Sequence, residues 1–265
     1  MHLPDIKSIK TKLLLFSAAQ IIIPIFFIGI FSIILSFMTI RSQTMEHTEK
    51  TFKYVSNSIN EYSENIYNIS YELLYNSPIF EAASFNIVTD TSSAEIQNAL
   101  RRTLISNSEI EAISLNIGSS FFVSNIKTCN IYKPHTAGYQ QLVKKMRASG
   151  SAPYWYVRTA NGSVTGLFLS RTVYNPYTYK EVGVLTLQIS RDFLSALISQ
   201  YNDSYAIISP DGQYVSRTDA FSLPSDTDTR ALALSAEGSF TKHDVCVFHS
   251  TLPMRGWKII RTINS

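Results

Sequence analysis

Hydrophobic positions along this chain change rhythm three times. From Leu13 to Ile40 the sequence is an apolar run without a single charge. About 20 apolar residues, rising 1.5 Å each, cross the hydrocarbon core of a bilayer, so the run predicts a membrane-spanning helix. From Arg41 to Pro78 the apolar residues settle onto a seven-residue repeat. Met45, Phe52, Ile59, Ile66 and Leu73 mark one position, with Val55, Tyr62 and Ile69 three residues later. This is an a/d stripe over about four heptads, and no Pro or Gly interrupts it before Pro78, so it predicts one long helix of about 50 Å.

Past Pro78 short helical periods alternate with two-residue periods. Thr91–Ser106 reads as a helix capped by Ser92 or Ser93, with Ile96, Leu100 and Leu104 on one face. Residues 110–117 and 120–124 read as strands joined at Gly118-Ser119. A short amphipathic helix follows over 137–148, then strands over 154–158, 164–174 and 182–189, with Asn161-Gly162 and Asn175-Pro176 at the turns. A helix over 191–199 leads into a shorter version of the same order. Strands 205–209 and 213–217 flank Pro210-Asp211-Gly212, a helix covers 229–236, and strands cover 239–242, 245–249 and 257–263. The expectation is an α+β chain with two tandem antiparallel sheets, each with helices on one face.

The segment 13–40 also sets topology. A cleaved signal peptide has a hydrophobic stretch of about 7–15 residues and a small-residue cleavage site. This run is far longer and exits through Phe37-Met38-Thr39-Ile40-Arg41. It reads as an uncleaved anchor. Lys7, Lys10 and Lys12 precede it, which keeps the tail in the cytoplasm and puts the remainder outside the cell. The division expected is a tail over 1–12, a span over 13–40, a stalk helix over 41–78, and two sheet modules over 79–190 and 191–265. The stalk stripe has two uses: packing on the sheets of its own chain, and pairing with the same helix of a second copy near the membrane.

Charge and composition exclude more than they select. The formal charge of +3 is largely the tail's, since residues beyond 12 hold 20 basic and 19 acidic side chains. That balance leaves no basic surface for nucleic acid. Cys129 and Cys246 are too few for a disulfide scaffold and lack metal-ligand spacing. The five histidines are isolated from one another, and no catalytic constellation emerges. No cofactor is implied.

Small-molecule recognition needs apolar walls and a few orienting polar groups. The densest such segment is Tyr154-Trp155-Tyr156-Val157-Arg158, with Arg171 and Tyr174 close in the order of strands. Aromatic rings give flat walls, and Arg gives a fork for a carboxylate or phosphate. Alternation puts Leu167, Leu169, Arg171 and Val173 on one face. An Arg on an apolar face must be paired, bound to ligand or at the rim. Glu181 is the structural partner expected. The candidate ligand-binding residues are Tyr154, Trp155, Arg158, Arg171 and Tyr174.

Four features together resemble a known family. They are the basic tail and span containing Ile23-Pro24-Ile25-Phe26-Phe27-Ile28-Gly29, the long helix behind it, the meander ending Gly183-Val184-Leu185-Thr186-Leu187-Gln188-Ile189 before Arg191-Asp192-Phe193-Leu194, and the terminal Gly256-Trp257-Lys258-Ile259-Ile260. The chain resembles the N-terminal half of Gram-positive, YesM-like sensor histidine kinases, whose exterior is a double Cache domain made of two PAS-like modules. The resemblance implies an extracellular ligand sensor of a two-component system, binding a small molecule in the membrane-distal module, with a kinase following. The alternatives are the same sensor attached to a DNA-binding regulator or cyclic-dinucleotide output, and a docking module for a solute-binding protein. Amino-acid-binding double Cache domains carry an Arg just before a Trp-Tyr pair. Here Pro153-Tyr154 precede Trp155-Tyr156, so that signature is missing.

Overall fold

The computed structural model describes residues 9–264 except 128, 151, 161, 162, 202 and 255. The tail ahead of residue 9, the side chains of Lys10 and Lys12 and the Asn161-Gly162 turn lie outside the described residues. The chain divides into an N-terminal unit ending at Thr51 and a compact unit from Phe52 onward.

Helix α1 runs Ile9–Tyr75. In the first unit its apolar side chains stand open, Phe27 at 67% exposure and Ile33 at 70% among them. Among the described residues it is one helix long and apolar enough to cross a membrane. Ser17 and Thr39 turn their hydroxyls onto the carbonyls of Leu14 and Leu35, which satisfies them within the helix.

In the second unit the heptad stripe is buried. Phe52, Val55, Ile59, Tyr62, Ile66, Ile69 and Leu73 all enter one core, and only Met45, ahead of this unit, is open. Burying such side chains contributes about 1.5–3 kcal/mol each. Ser56, Ser63 and Ser70 line the same buried seam at seven-residue spacing. Their small size lets the helix approach closely, and Ser63 and Ser70 donate to the carbonyls of Asn60 and Tyr67.

The long helix stops at Tyr75, not at Pro78. Asn76 is extended and Pro78 sits in the first turn of a separate helix α2, Ser77–Phe85. Proline fits there because it lacks only an N–H that a first turn leaves unbonded anyway. Helix α3 (Asp90–Ser106) is capped by Thr89, whose hydroxyl accepts from the N–H of Ser92 while Ser92 answers to the N–H of Thr89. The cap thus lies ahead of the serines expected to supply it.

The first sheet holds β1 (Ile110–Ile117), β2 (Ser120–Asn125), β3 (Tyr154–Ala160), β4 (Ser163–Tyr174) and β5 (Glu181–Ile189), with α4 (Ala137–Ala148) between β2 and β3. Its order is β2-β1-β5-β4-β3, antiparallel throughout. Helix α5 (Arg191–Ser199) leads to the second sheet: β6 (Ser204–Ile208), β7 (Tyr214–Arg217), β8 (Gly238–Lys242), β9 (Val245–Thr251) and β10 (Lys258–Asn264), with α6 (Thr229–Leu234) inserted. The order β7-β6-β10-β9-β8 repeats the first. The architecture is α+β, a long apolar helix followed by two tandem PAS-like antiparallel modules, as the pattern of residues predicts.

One expectation is corrected. Helices cover both faces of each sheet, not one. The inner faces carry Leu115, Leu169 and Leu187 from the first sheet and Ile207, Phe248 and Ile259 from the second, and merge with α1 into a single core. The outer faces close separately, with Val184 under Leu142 and Met146 of α4, and Val247 and Ile260 under Leu232 of α6. Residues 166–171 and 183–189 are therefore buried on both sides, and the polar side chains that fall there are partnered, Ser170 with the Thr186 hydroxyl at 2.7 Å and Gln188 with the Glu111 carboxylate at 3.0 Å.

Candidate functional site

A cleft of about 240 Å³ opens where α4, the edge strand β3 and the β6–β7 turn meet. Its wall is aromatic. Tyr154 and Tyr156 leave β3 on the outer face, since alternation sends residues i and i+2 the same way. Tyr132 and Tyr156 stack at 6.4 Å, Tyr154 and Tyr156 at 6.0 Å, and Tyr156 rests on Phe168 at 5.0 Å. Gly138 lies at the start of α4 because a Cβ there would run into the Tyr132 ring. Burial pushes the Tyr156 hydroxyl above its ordinary range, with Ser170 pulling the other way.

The polar groups come from two directions. Gln141 and Lys145 reach in from α4, and Ser209 and Asp211 from the β6–β7 turn. That turn is held by the Gly212 N–H on the Ser209 carbonyl, and Gly212 adopts φ +75°, which suits glycine. Asp211, legible only as a turn residue, thus stands at the cleft as well. The floor is Trp155 and Trp257.

The five residues singled out in the sequence do not converge. Tyr154 and Trp155 line the cleft. Arg158 stacks over Tyr132 at 4.1 Å and donates to the Asn130 carbonyl, beside the cleft and braced. Arg171 faces the other side of the sheet, with Leu167, Leu169 and Val173 as alternation requires. It is 5% exposed and lies over the Tyr71 ring of α1 at 3.4 Å. Its Nε and Nη2 are buried without a partner, and burial lowers its pKa. Glu181 does not serve it. That carboxylate takes a bidentate pair from Arg147 of α4 at 2.9 and 3.0 Å instead. Tyr174, past a bulge at the end of β4, is half open, and Tyr177 and Tyr179 are exposed in the loop behind it.

Trp155 does more than line a wall. Although it is only 4% exposed, it touches three parts of the molecule. Its Nε1–H donates to the Tyr67 hydroxyl of α1 at 2.7 Å, and its ring meets Tyr67 edge-on at 5.9 Å and Trp257 edge-on at 6.3 Å. One side chain joins the cleft, the long helix and the second sheet.

No set of three or more His, Cys, Asp and Glu gathers as metal ligands among the described residues. Cys129 and Cys246 are free thiols. Tyr132, Gln141 and Lys145 were not legible as cleft residues. The stacking of 132 on 156 is long-range, and the turn of α4 that faces the sheet is fixed by Leu142 and Met146.

No protein-family model matches the sequence, and no curated protein matches it. Solved structures do resemble it. The ligand-binding domain of the Campylobacter jejuni chemoreceptor Tlp3 in complex with L-valine superimposes with a TM-score of 0.57 at 11% identity, covering 80% of this chain and 89% of that one. The ligand-binding domain of the Pseudomonas aeruginosa amino-acid chemoreceptor PctC in complex with GABA gives 0.54 at 15%, covering 80% and 95%. An extracellular ligand-binding receptor from Desulfohalobium retbaense gives 0.59 at 12%, covering 79% of this chain and 39% of the other. At these identities the likeness is one of fold: the double Cache architecture of sensory domains.

Proposed function

We propose that this chain is the ligand-sensing region of a membrane-anchored receptor. In this reading residues 1–12 are a cytoplasmic tail, 13–40 the span, 41–78 the stalk, and 79–190 and 191–265 the distal and proximal modules outside the cell. The observation that carries it is the cleft whose floor is tied through Trp155 to the long helix. A ligand shifts an equilibrium only through different affinity for the two states. A molecule that presses on Trp155 acts on its bond to Tyr67, and the helix follows.

The ligand is small, since about 240 Å³ lies just under the usual range for drug-sized pockets. Three tyrosines, Lys145 and Asp211 suit a compact organic molecule with charged ends. Tyr154 and Trp155 touch it directly, Arg158 fixes the Tyr132 wall, and Arg171 and Tyr174 act outside the cleft. A sensor histidine kinase of the YesM-like kind is the output, in keeping with the resemblance in sequence. The stalk turns around the open Met45 join two copies. A second reading, docking of a solute-binding protein, draws on the exposed Phe85, Ile87, Tyr177 and Tyr179, whose loops are linked by Asn175 donating to the Ser84 carbonyl at 2.6 Å.

A thermal-shift screen of the detergent-solubilised chain against amino acids, amines, organic acids and sugars tests the cleft. At 100 times Kd a ligand adds about 2.7 kcal/mol of stability. The expected result is a hit lost in Tyr154→Ala. No hit in any class, or a hit indifferent to both Tyr154→Ala and Lys145→Ala, would remove the cleft from the account.

A further inference from the structure

Each sheet buries an arginine on its inner face, and the two differ in what answers their charge. Alternation from Ile259 puts Arg261 of β10 on the face toward α1, where it pairs with Phe248 of β9, whose ring meets Phe52 of α1 at 6.1 Å. Arg261 has a counter-charge, with its Nη2 2.9 Å from the Asp203 carboxylate. Arg171 of β4 lies over Tyr71, near the other end of the docked part of α1.

Among the described residues no carboxylate pairs with Arg171. Glu181 is held by Arg147, and Glu72, beside Tyr71 in sequence, is open to solvent. The titratable groups around the guanidinium are Tyr67, Tyr71 and Tyr75, all neutral phenols at pH 7. The Tyr71 side chain attracts the charge, with its ring at 3.4 Å. Nε and Nη2 nevertheless stay buried without an acceptor. An unpaired charge with two orphaned donors costs more on burial than one ring contact offsets. The C-terminal end of α1 is thus docked against a group that gains when the helix leaves.

The neighbour of this contact is the floor of the cleft. Trp155 pairs with Leu169 across β3 and β4, and Arg171 stands two residues further along the same face, so the two are diagonal neighbours. They touch α1 at Tyr67 and Tyr71, about one helical turn apart. The first contact is a satisfied hydrogen bond and the second an unsatisfied charge.

We propose that Arg171 is a release built into the core: its unpaired guanidinium makes the last turns of α1 the part of the long helix that leaves the sheet most readily, so that a displacement of Trp155 enters α1 there and not at Phe52. The trigger rests on the cleft reading given above, whereas the release itself is a property of the unliganded chain. Arg261, with its charge answered, leaves the Phe52 end fixed. Local opening of this kind is read by amide exchange.

Hydrogen–deuterium exchange on the detergent-solubilised full chain, without any ligand, tests this. Arg171→Met keeps the length of the side chain and removes the charge. Exchange over residues 69–75 should slow at least tenfold, with less than a twofold change over 52–59. Arg171→Lys keeps the charge, and exchange over 69–75 should not slow. Exchange over 69–75 that is unchanged or faster in Arg171→Met would overturn the proposal, because the ring contact would then be holding the helix. Equal slowing in Arg171→Lys, or an Arg171→Met chain that does not fold, would overturn it as well. A ligand lost in Tyr154→Ala, with exchange indifferent to Arg171→Met, would keep the cleft and remove the release.

Discussion

The two sheets have the same strand order and opposite characters on their outer faces. In the first, the outer face is filled by stacked rings under a twelve-residue helix, and most of its polar groups are braced, with Arg158 on Tyr132, Arg147 on Glu181 and Asn116 on the Tyr139 hydroxyl at 3.1 Å, while the Tyr156 hydroxyl is buried without a partner. In the second, the covering helix has six residues, and His249 and Thr227 stay unpartnered beneath it. The inner faces show no such contrast, since both belong to one core around α1. The contrast between the two modules thus lies on the outer sides of their sheets, while the inner sides hold the common core.

Truncating Trp155 puts the greatest strain on this division. Trp155→Ala removes a large buried ring that touches α1 and Trp257, and should cost about 3–5 kcal/mol. Because the core is shared, amide exchange should accelerate in both sheets at once. Faster exchange limited to β3 and β4 would mean that the two modules fold independently. Tyr67→Phe is a milder probe of the same joint. It leaves the Trp155 Nε1–H buried without its acceptor, a loss of about 1–3 kcal/mol, with ring packing intact. An unchanged melting temperature would show that the bond is not part of the coupling.

The smallest effect belongs to the second outer face. His249 has a pKa lowered from 6.5 by burial, then by Lys258. Between that lowered value and 6.5 the unfolded chain holds a proton that the folded chain does not. Stability therefore rises with pH through this window and falls on acidification below about 6.5. His249→Gln should flatten that part of the stability-against-pH curve relative to the parent. Superimposable curves would place the imidazole in water.

Alternation made most of this visible in the sequence. Every strand expected from the pattern ends within about two residues of its observed bounds, because two-residue periods bounded by Gly, Asn and Pro are strong signals. Helix α2 was hidden: Pro78 reads as a terminator, yet a proline starts a helix as readily as it ends one. The site was harder. Tyr154, Trp155 and Tyr156 form one dense segment, and density suggested a common role. The same period that defines the strand sends Trp155 to the opposite face from its neighbours. Arg171 was correctly placed on an apolar face, but its companion is a tyrosine of the long helix, about a hundred residues earlier in the chain. No local pattern encodes such a pairing, nor does one show that Glu181 is taken by α4.

The common core around α1 has a bearing on how such a chain can change. Side chains on the far sides of the two sheets pack in separate small clusters. Substitutions there can change the outer surface of one module without disturbing the other or the scaffold. Drift on the outer faces is therefore cheap, and drift at the central seam is not. A library randomised at Tyr132, Tyr154 and Lys145 should yield many folded members, whereas one randomised at Ile59, Ile66 and Leu187 should yield few.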